Sequence, residues 1–109
     1  MSALQARRAR LLASLYVSYG EAALWTPAAG GTPIAVTIRR RGEEVDAPMG
    51  ASSALVWQDV IRVRRLELAA PARGDRVALE TGETVKIIAD PRQAKAGGEW
   101  VCEYAPVRS

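Results

Sequence analysis

The chain has 109 residues, of which 49 % are hydrophobic and 25 % charged, with a formal net charge of +3. This length fits one small domain, residues 1–109, and the ordinary globular composition excludes a chain that is disordered throughout. It has no histidine and one cysteine, Cys102, which excludes Ser-His and Cys-His catalytic sites, an internal disulfide and a cysteine-based zinc site.

The first predicted element is an amphipathic helix over residues 3–18. Ser2 and Gln5 fit a capping box, and apolar residues follow at helical spacing, namely Leu4, Leu11, Leu12, Leu15 and Tyr19. Gly20 is well placed to end the helix in a left-handed cap. We expect no signal peptide, because the apolar run is short and no convincing cleavage site closes it. No apolar run reaches the roughly 20 residues that a membrane span needs.

Three arginines, Arg7, Arg8 and Arg10, lie in the first half of this helix, where the helix dipole favours acids instead. Positive charge also dominates the whole of residues 1–65, with nine arginines against five acids, or +4. Residues 66–109 carry six bases against seven acids, or −1. We therefore expect these arginines to face either bulk solvent or an acidic partner.

Residues 21–107 predict a mainly β fold, a small antiparallel β-barrel or sandwich. Candidate strands recur at the short spacing typical of such folds, in EAALWT, TPIAVTIRRR, LVWQDVIRVRRLEL and EWVCEYAPV. Val77 and Leu79 alternate in one further strand, and Val85 and Ile87 in its return. The turn between them needs a positive φ, which Gly82 can supply.

Residues 42–54 mix acids, Pro, Gly and Ser, which predicts a long inter-strand loop that is mobile in the free subunit. Loops of this length are often functional. We expect its residues to form a subunit or partner interface together with the helix arginines, namely Glu43, Glu44, Asp46 and Met49 beside Arg7, Arg8 and Arg10.

The run Arg39-Arg40-Arg41 has two interpretations. It can contact DNA phosphates, or it can be a solvated strand end beside the acids that follow it in the chain. Arg62 and Arg64 can extend it to a basic stripe if their strands pair, although Arg65 then points to the opposite face.

Three further features have ordinary structural interpretations. Asp75 in the Arg-Gly-Asp triplet suits a turn better than a receptor motif. At least two of the three tryptophans are expected in the core, although exposed tryptophans can stack on nucleic-acid bases. Cys102 follows the apolar alternation of the last strand, which places it on one face with Trp100 and Tyr104 and predicts an inert buried thiol.

The order of these features resembles the head-tail joining proteins of long-tailed phages, also called head-completion or stopper proteins, including the lambdoid type and those of phage-like gene transfer agents. The resemblance covers nearly the whole chain. The positions that carry it are Gly20, Trp25, Pro27, Gly31, Gly74, Asp75, Gly82 and Trp100. The loop 91–98 is more basic and looser than the turn expected there.

The resemblance implies a small β-barrel with an appended helix that acts as a structural part of the virion neck. It implies no enzymatic activity. From the residues themselves we expect no cofactor, no metal site and no membrane. Such proteins assemble in the host cytoplasm into a ring, commonly a hexamer, beneath the portal or its adaptor. They close the filled head and receive the tail terminator or the tail tube below. Packaged double-stranded DNA would then lie in the channel, within reach of Arg39, Arg40 or Arg41.

Two other functions remain open from the sequence. The protein can be a tail terminator or another connector component, or a stand-alone nucleic-acid-binding barrel of the OB or SH3-like kind. The second would need aromatic and basic residues together on an exposed sheet face. The predicted face of Trp100, Cys102 and Tyr104 holds no base, which argues against it.

Overall fold

The computed structural model describes residues 3–49, 52–95 and 97–107, and within 44–56 it describes the backbone alone. In these residues one helix precedes seven strands: α1 (Ala3–Tyr19), β1 (Glu21–Thr26), β2 (Ile34–Met49), β3 (Ser52–Arg64), β4 (Arg76–Leu79), β5 (Thr84–Ile87), β6 (Arg92–Gln93) and β7 (Glu99–Pro106). The predicted mainly β class with an N-terminal helix is confirmed.

Six of the strands close into an antiparallel barrel. The hydrogen-bonded order β3-β2-β1-β4-β5-β7 returns to β3, because β7 pairs with β5 and also with β3. The two-residue β6 pairs with β7 as well. Closure removes the free edges that an open sheet would present. Of the two architectures that the sequence allowed, the structure is therefore the barrel.

The barrel interior is filled by residues from alternate positions of these strands. Trp25 is fully buried at its centre, and Trp100 and Tyr104 pack against the same cluster. That cluster is built from Ala23, Trp25, Val36, Ile38, Ile61, Val63, Leu68, Val77, Leu79, Val85, Ile87 and Cys102. Two of the three tryptophans thus serve the core, as predicted. Each fully buried aliphatic side chain stabilises the fold by about 1.5–3 kcal/mol.

The β4–β5 hairpin follows its sequence pattern. Val77 lies opposite Val85, and both are fully buried. Gly82 has a φ of 92°, and its N–H donates to the carbonyl of Leu79 at 3.0 Å. A side chain at that φ would be strained, so the prediction for this turn is confirmed.

The prediction of a loop over residues 42–54 is wrong. β2 and β3 pair in continuous register from Ile38 opposite Val63 to Met49 opposite Ser52, so the described part of this segment is strand. A polar composition with Gly is typical of a loop, but it also occurs in strands that are not packed between other layers of the fold.

The outer part of this hairpin has no third strand in the described structure. β2 pairs with β1 only as far as Ile38, and β3 pairs with β7 only from Val60 onward. Residues 41–49 and 52–59 therefore form a two-stranded extension, which we call the ribbon. At about 3.3 Å per residue, its nine-residue strand is roughly 30 Å long.

Helix α1 contacts the barrel through a narrow surface. Tyr16 is its buried side chain, whereas Leu4 and Leu11 are 56 % and 62 % exposed. The predicted apolar stripe is thus largely uncovered. The predicted capping residue Ser2 lies outside the described residues.

The predicted left-handed cap at Gly20 is also wrong, because Gly20 does not have a positive φ. Its N–H donates to the carbonyl of Tyr16 at 2.9 Å. A Cβ at this position would lie 2.6 Å from Thr37 Cγ2 and would collide with the Tyr16 carbonyl. Glycine is needed here because the helix end passes close to β2.

Candidate functional site

Asp75 is a buried carboxylate that joins three segments of the chain. Its Oδ2 accepts hydrogen bonds from Trp25 Nε1 and from the Ala72 N–H, each at 2.8 Å. Its Oδ1 accepts one from the Ala28 N–H at 2.7 Å. Because the carboxylate faces inward, the Arg-Gly-Asp triplet is a structural turn, as predicted.

Glu99 is a second buried carboxylate, placed where helix α1 meets the barrel. Its Oε2 accepts hydrogen bonds from the Tyr16 hydroxyl at 2.7 Å and from Arg39 Nη2 at 2.9 Å. Its Oε1 accepts one from Arg62 Nη1 at 3.3 Å. Arg62 also pairs with Glu43 at 2.7 Å. We call these five residues the charged seam.

The charged seam resolves a conflict within the sheet. Arg39 and Arg62 lie directly opposite each other on β2 and β3, and like charges in that position destabilise a sheet. Glu99 from β7 contacts both guanidinium groups, and Glu43 supplies the second counter-charge. The arginines of the predicted basic stripe therefore do lie side by side, but carboxylates of the same chain neutralise their charge.

Two further residues extend the seam toward the helix. The Arg64 guanidinium lies 4.8 Å from the centre of the Tyr16 ring and pairs with Glu67 at 3.0 Å. Glu67 in turn accepts a hydrogen bond from the Thr37 N–H at 3.2 Å. Helix α1 is thus held by a polar network as well as by ring packing.

Proton affinities in the seam follow from this packing. Burial raises the pKa of Glu99, but hydrogen bonds from Arg39 and Tyr16 and the charges of Arg39 and Arg62 outweigh it, so the net pKa is lowered. Burial, with Glu99 beside it, raises the pKa of Tyr16. Glu99 is therefore ionised at neutral pH. The Tyr16 hydroxyl keeps its proton there and donates a hydrogen bond to Glu99.

The predicted DNA-contacting arginines all have carboxylate partners in the chain. Arg39 belongs to the charged seam. Arg40 pairs with Glu21 at 2.7 Å, and Arg41 pairs with Glu43 at 3.4 Å. The Arg41 side chain is 56 % exposed and is the most accessible of the three. Contact with DNA stays a prediction, for which Arg41 is the best placed.

The predicted interface acids lie on the ribbon. Glu43 is bound to Arg62 and Arg41, and the side chains of Glu44, Asp46 and Met49 lie outside the described part of the chain. Near the ribbon's base, any Cβ at Gly42 would collide with the Trp57 ring, yet Trp57 remains 71 % exposed. The interface role of these residues stays a prediction.

A groove of about 780 Å³ runs between helix α1 and the barrel. Its apolar lining includes Leu11, Leu12, Leu15 and Leu66, and its polar rim includes Arg8 and Arg65. Leu66 is 79 % exposed and Leu11 62 %, so the apolar lining is open to solvent. We call this feature the helix groove. Arg7 and Arg10 are exposed on the same helix, as is Arg8.

The described residues offer little for chemistry. Cys102 is fully buried, and burial raises the pKa of its thiol to about 12, so the thiol is inert at neutral pH. Across 3–49, 52–95 and 97–107, no group of three or more His, Cys, Asp or Glu is arranged to hold a metal ion. The same residues contain no helix with the length and apolar character required to cross a bilayer.

Tyr16, Glu99 and Leu66 were not found by sequence reasoning. The contact between Tyr16 and Glu99 joins residues 83 positions apart, and no local pattern reports such a pair. The sequence held one indication of this site, because arginines that face each other on two neighbouring strands need carboxylates from a third element. The glutamate that opens the last strand was the available candidate.

Comparison with known proteins agrees with this structure. The family model described as Phage Head-Tail Attachment protein matches residues 1–104, which include the helix and nearly all of the barrel. No curated protein matches the chain. The chain therefore belongs to the phage head-tail attachment family, as a component of the virion neck that associates with other head and tail proteins.

Proposed function

We propose that this protein is the stopper, or head-completion, component of the neck. Several copies form a ring, most simply a hexamer, beneath the portal or its adaptor. The ring closes the DNA-filled head and presents a surface to the tail terminator or tail tube. The observation that carries the proposal is the family match over residues 1–104, since it spans the helix and the barrel together.

The geometry suits a structural part and not an enzyme. The barrel closes on itself, while the ribbon and the helix groove are left for neighbouring molecules. A ribbon of two strands is at best marginally stable alone, so it gains from an assembly partner. Packaged DNA passes through the ring, where Arg41 is the most accessible arginine of the β2 run.

The stand-alone nucleic-acid-binding interpretation has less support. Trp25 and Trp100 serve the core, and the exposed Trp57 lies on the acidic ribbon, opposite Glu44 and two residues before Asp59. Base-stacking platforms place exposed rings among positive charges, which is the opposite arrangement.

The test of the proposed function uses particles that lack this protein. We expect their heads to package DNA but to lose it, and free tails of normal length to accumulate. Purified protein added to freshly filled heads should restore both DNA retention and tail joining. Heads that retain DNA beside tails of abnormal length would instead assign the protein as a tail terminator.

A second prediction concerns the three helix arginines. Changing Arg7, Arg8 and Arg10 together to Glu should weaken binding to filled heads by at least about tenfold. Each reversed contact with an acidic partner surface costs on the order of 1 kcal/mol. The fold should survive, because all three side chains are exposed. A thermal melt and a head-binding assay measure the two effects.

The matched control for that variant reverses three exposed cations on the barrel, Arg73, Arg76 and Lys86. It changes net charge equally and should bind heads more tightly than the helix variant. Higher salt should weaken the wild-type contact, because exposed charges are screened within about 10 Å at 0.1 M. If the helix variant joins heads to tails normally, the three arginines are only a solvated face.

A further inference from the structure

The helix groove has the properties of a binding site that residues 3–49, 52–95 and 97–107 leave unfilled. Its volume of about 780 Å³ lies within the roughly 300–1,000 Å³ typical of binding pockets. Exposed leucines from helix α1 and from the turn after β3 line it, and Arg8 and Arg65 stand at its rim. Such a site favours an occupant that is apolar and acidic.

The ribbon has the complementary composition. Its residues 41–49 and 52–59 contain four acids against one base, Arg41, which is already paired with Glu43. Apolar residues accompany the acids, in Val-Asp-Ala-Pro-Met on one strand and Ala-Leu-Val on the other. In the described residues this ribbon lacks any strand beyond its own two. Its composition therefore complements the apolar lining and basic rim of the helix groove.

The outer end of the ribbon lies far from the helix groove of its own chain. The groove lies at the Arg64 end of β3, where Arg64 is opposite Glu99 of β7 in the sheet. The ribbon leaves the barrel at the opposite end, beyond Val60, and extends to Ser52. At about 3.3 Å per residue, the twelve steps from Arg64 to Ser52 place the outer end of the ribbon roughly 40 Å from the groove end of β3.

We propose that the ribbon of one copy docks into the helix groove of the next copy. The ribbon, which is acidic and partly apolar in sequence, then lies against the basic rim of Arg8 and Arg65 and the exposed leucines. Contact between two different patches is head-to-tail, and repetition of such a contact closes a ring when the rotation permits. This inference rests on the proposed ring and names the contact that builds it.

Site-directed cross-linking on heads that lack the protein tests the contact. Chains carrying Met49→Cys are mixed with chains carrying Leu11→Cys, added to filled heads and treated with a short bismaleimide. A cross-linked dimer is expected from the mixture and from neither variant alone. The native Cys102 is fully buried and should not react.

The matched control is Val17→Cys, on the same helix but outside the groove, where the side chain is 87 % exposed. Mixed with Met49→Cys chains, it should give no dimer. A dimer with Val17→Cys equal to that with Leu11→Cys, or a dimer from Met49→Cys alone, would overturn the proposed contact.

A charge exchange provides the second arm. Glu44→Arg with Asp46→Arg should reduce incorporation into heads by about ten- to a hundredfold, and Arg8→Glu with Arg65→Glu should do the same. Combining all four changes in one chain should restore incorporation. Failure of the combination to restore it would contradict the pairing, because each defect would then have another cause.

The two arms separate this inference from the proposed function. If wild-type protein restores DNA retention while neither the cross-link nor the rescue is seen, the stopper role stands and the docking contact is wrong. If wild-type protein neither binds the heads nor restores retention, the proposed function fails and the docking contact fails with it.

Discussion

Replacing Asp75 with Ala should lower the free energy of unfolding by about 3–5 kcal/mol, the largest effect we expect from one substitution. The carboxylate accepts hydrogen bonds from Trp25, Ala28 and Ala72 and is 3 % exposed. Its removal leaves these donors without partners in the interior, at about 1–3 kcal/mol for each one that stays buried. Thermal or urea unfolding of the purified subunit measures the loss, at about 4–8 °C per kcal/mol.

Two further variants make this prediction specific. Asp75→Asn keeps an acceptor oxygen that can serve the two donors now bound to Oδ2, so it should be less destabilising than Asp75→Ala. Asp90→Ala removes an exposed carboxylate and should change stability by less than about 0.5 kcal/mol. Equal melting temperatures for Asp75→Ala and Asp90→Ala would show that the buried carboxylate does not organise the barrel.

The barrel strands could be predicted because each buries one face. Val77, Leu79, Val85 and Ile87 alternate with exposed or half-buried residues, and that period of two is visible in the sequence. The hairpin turn could be predicted as well, because its positive φ needs Gly82.

The ribbon could not be predicted by the same reasoning. Its strands pair with each other but lie beyond the strands that close the barrel, so in the described structure residues 42–54 lack the neighbouring strands that fix the alternation in the barrel. Without that period, only composition remains, and acids with Pro and Gly indicate a loop.

The helix was located correctly, but its contact with the barrel was not. Periodicity selected the leucines as the apolar face, yet Leu11 and Leu15 are 62 % and 40 % exposed. The contact is made instead by Tyr16, which donates to Glu99 and lies beside Arg39 and Arg64. A polar contact between distant residues has no periodic signal, so its recognition required the fold.

Replacing Glu99 with Gln should destabilise the protein by about 2–3 kcal/mol at neutral pH. Removing one partner of a buried ion pair typically costs about 3–5 kcal/mol. The cost is reduced here because Gln still accepts the Tyr16 hydrogen bond and because Arg39 and Arg62 keep 15 % and 20 % exposure. Helix α1 should loosen with the seam, which hydrogen exchange of its amides would report.

The effect of Glu99→Gln should also depend on pH. The folded-state pKa of Glu99 is lowered from its ordinary value of 4.5, so the unfolded chain binds a proton more readily than the folded one. The stabilisation by Glu99 is therefore fully present above the ordinary pKa and is lost as pH falls through the folded pKa. The stability difference between wild type and variant should shrink across that acidic range.

Glu103→Gln is the matched control, since it makes the same change on the same strand. Glu103 pairs with Arg92 at 3.3 Å, and the Arg92 side chain is 45 % exposed, so its loss should cost no more than about 1 kcal/mol. Unfolding curves of wild type, Glu99→Gln and Glu103→Gln from pH 7 down to the acid transition give the free energy of unfolding of each protein and its change with pH. A Glu99→Gln protein as stable as Glu103→Gln, with a difference from wild type that does not change with pH, would contradict the assignment. Helix α1 would then be held by packing of the Tyr16 ring, and the arginines opposite each other on β2 and β3 would have to be stabilised by solvent and Glu43.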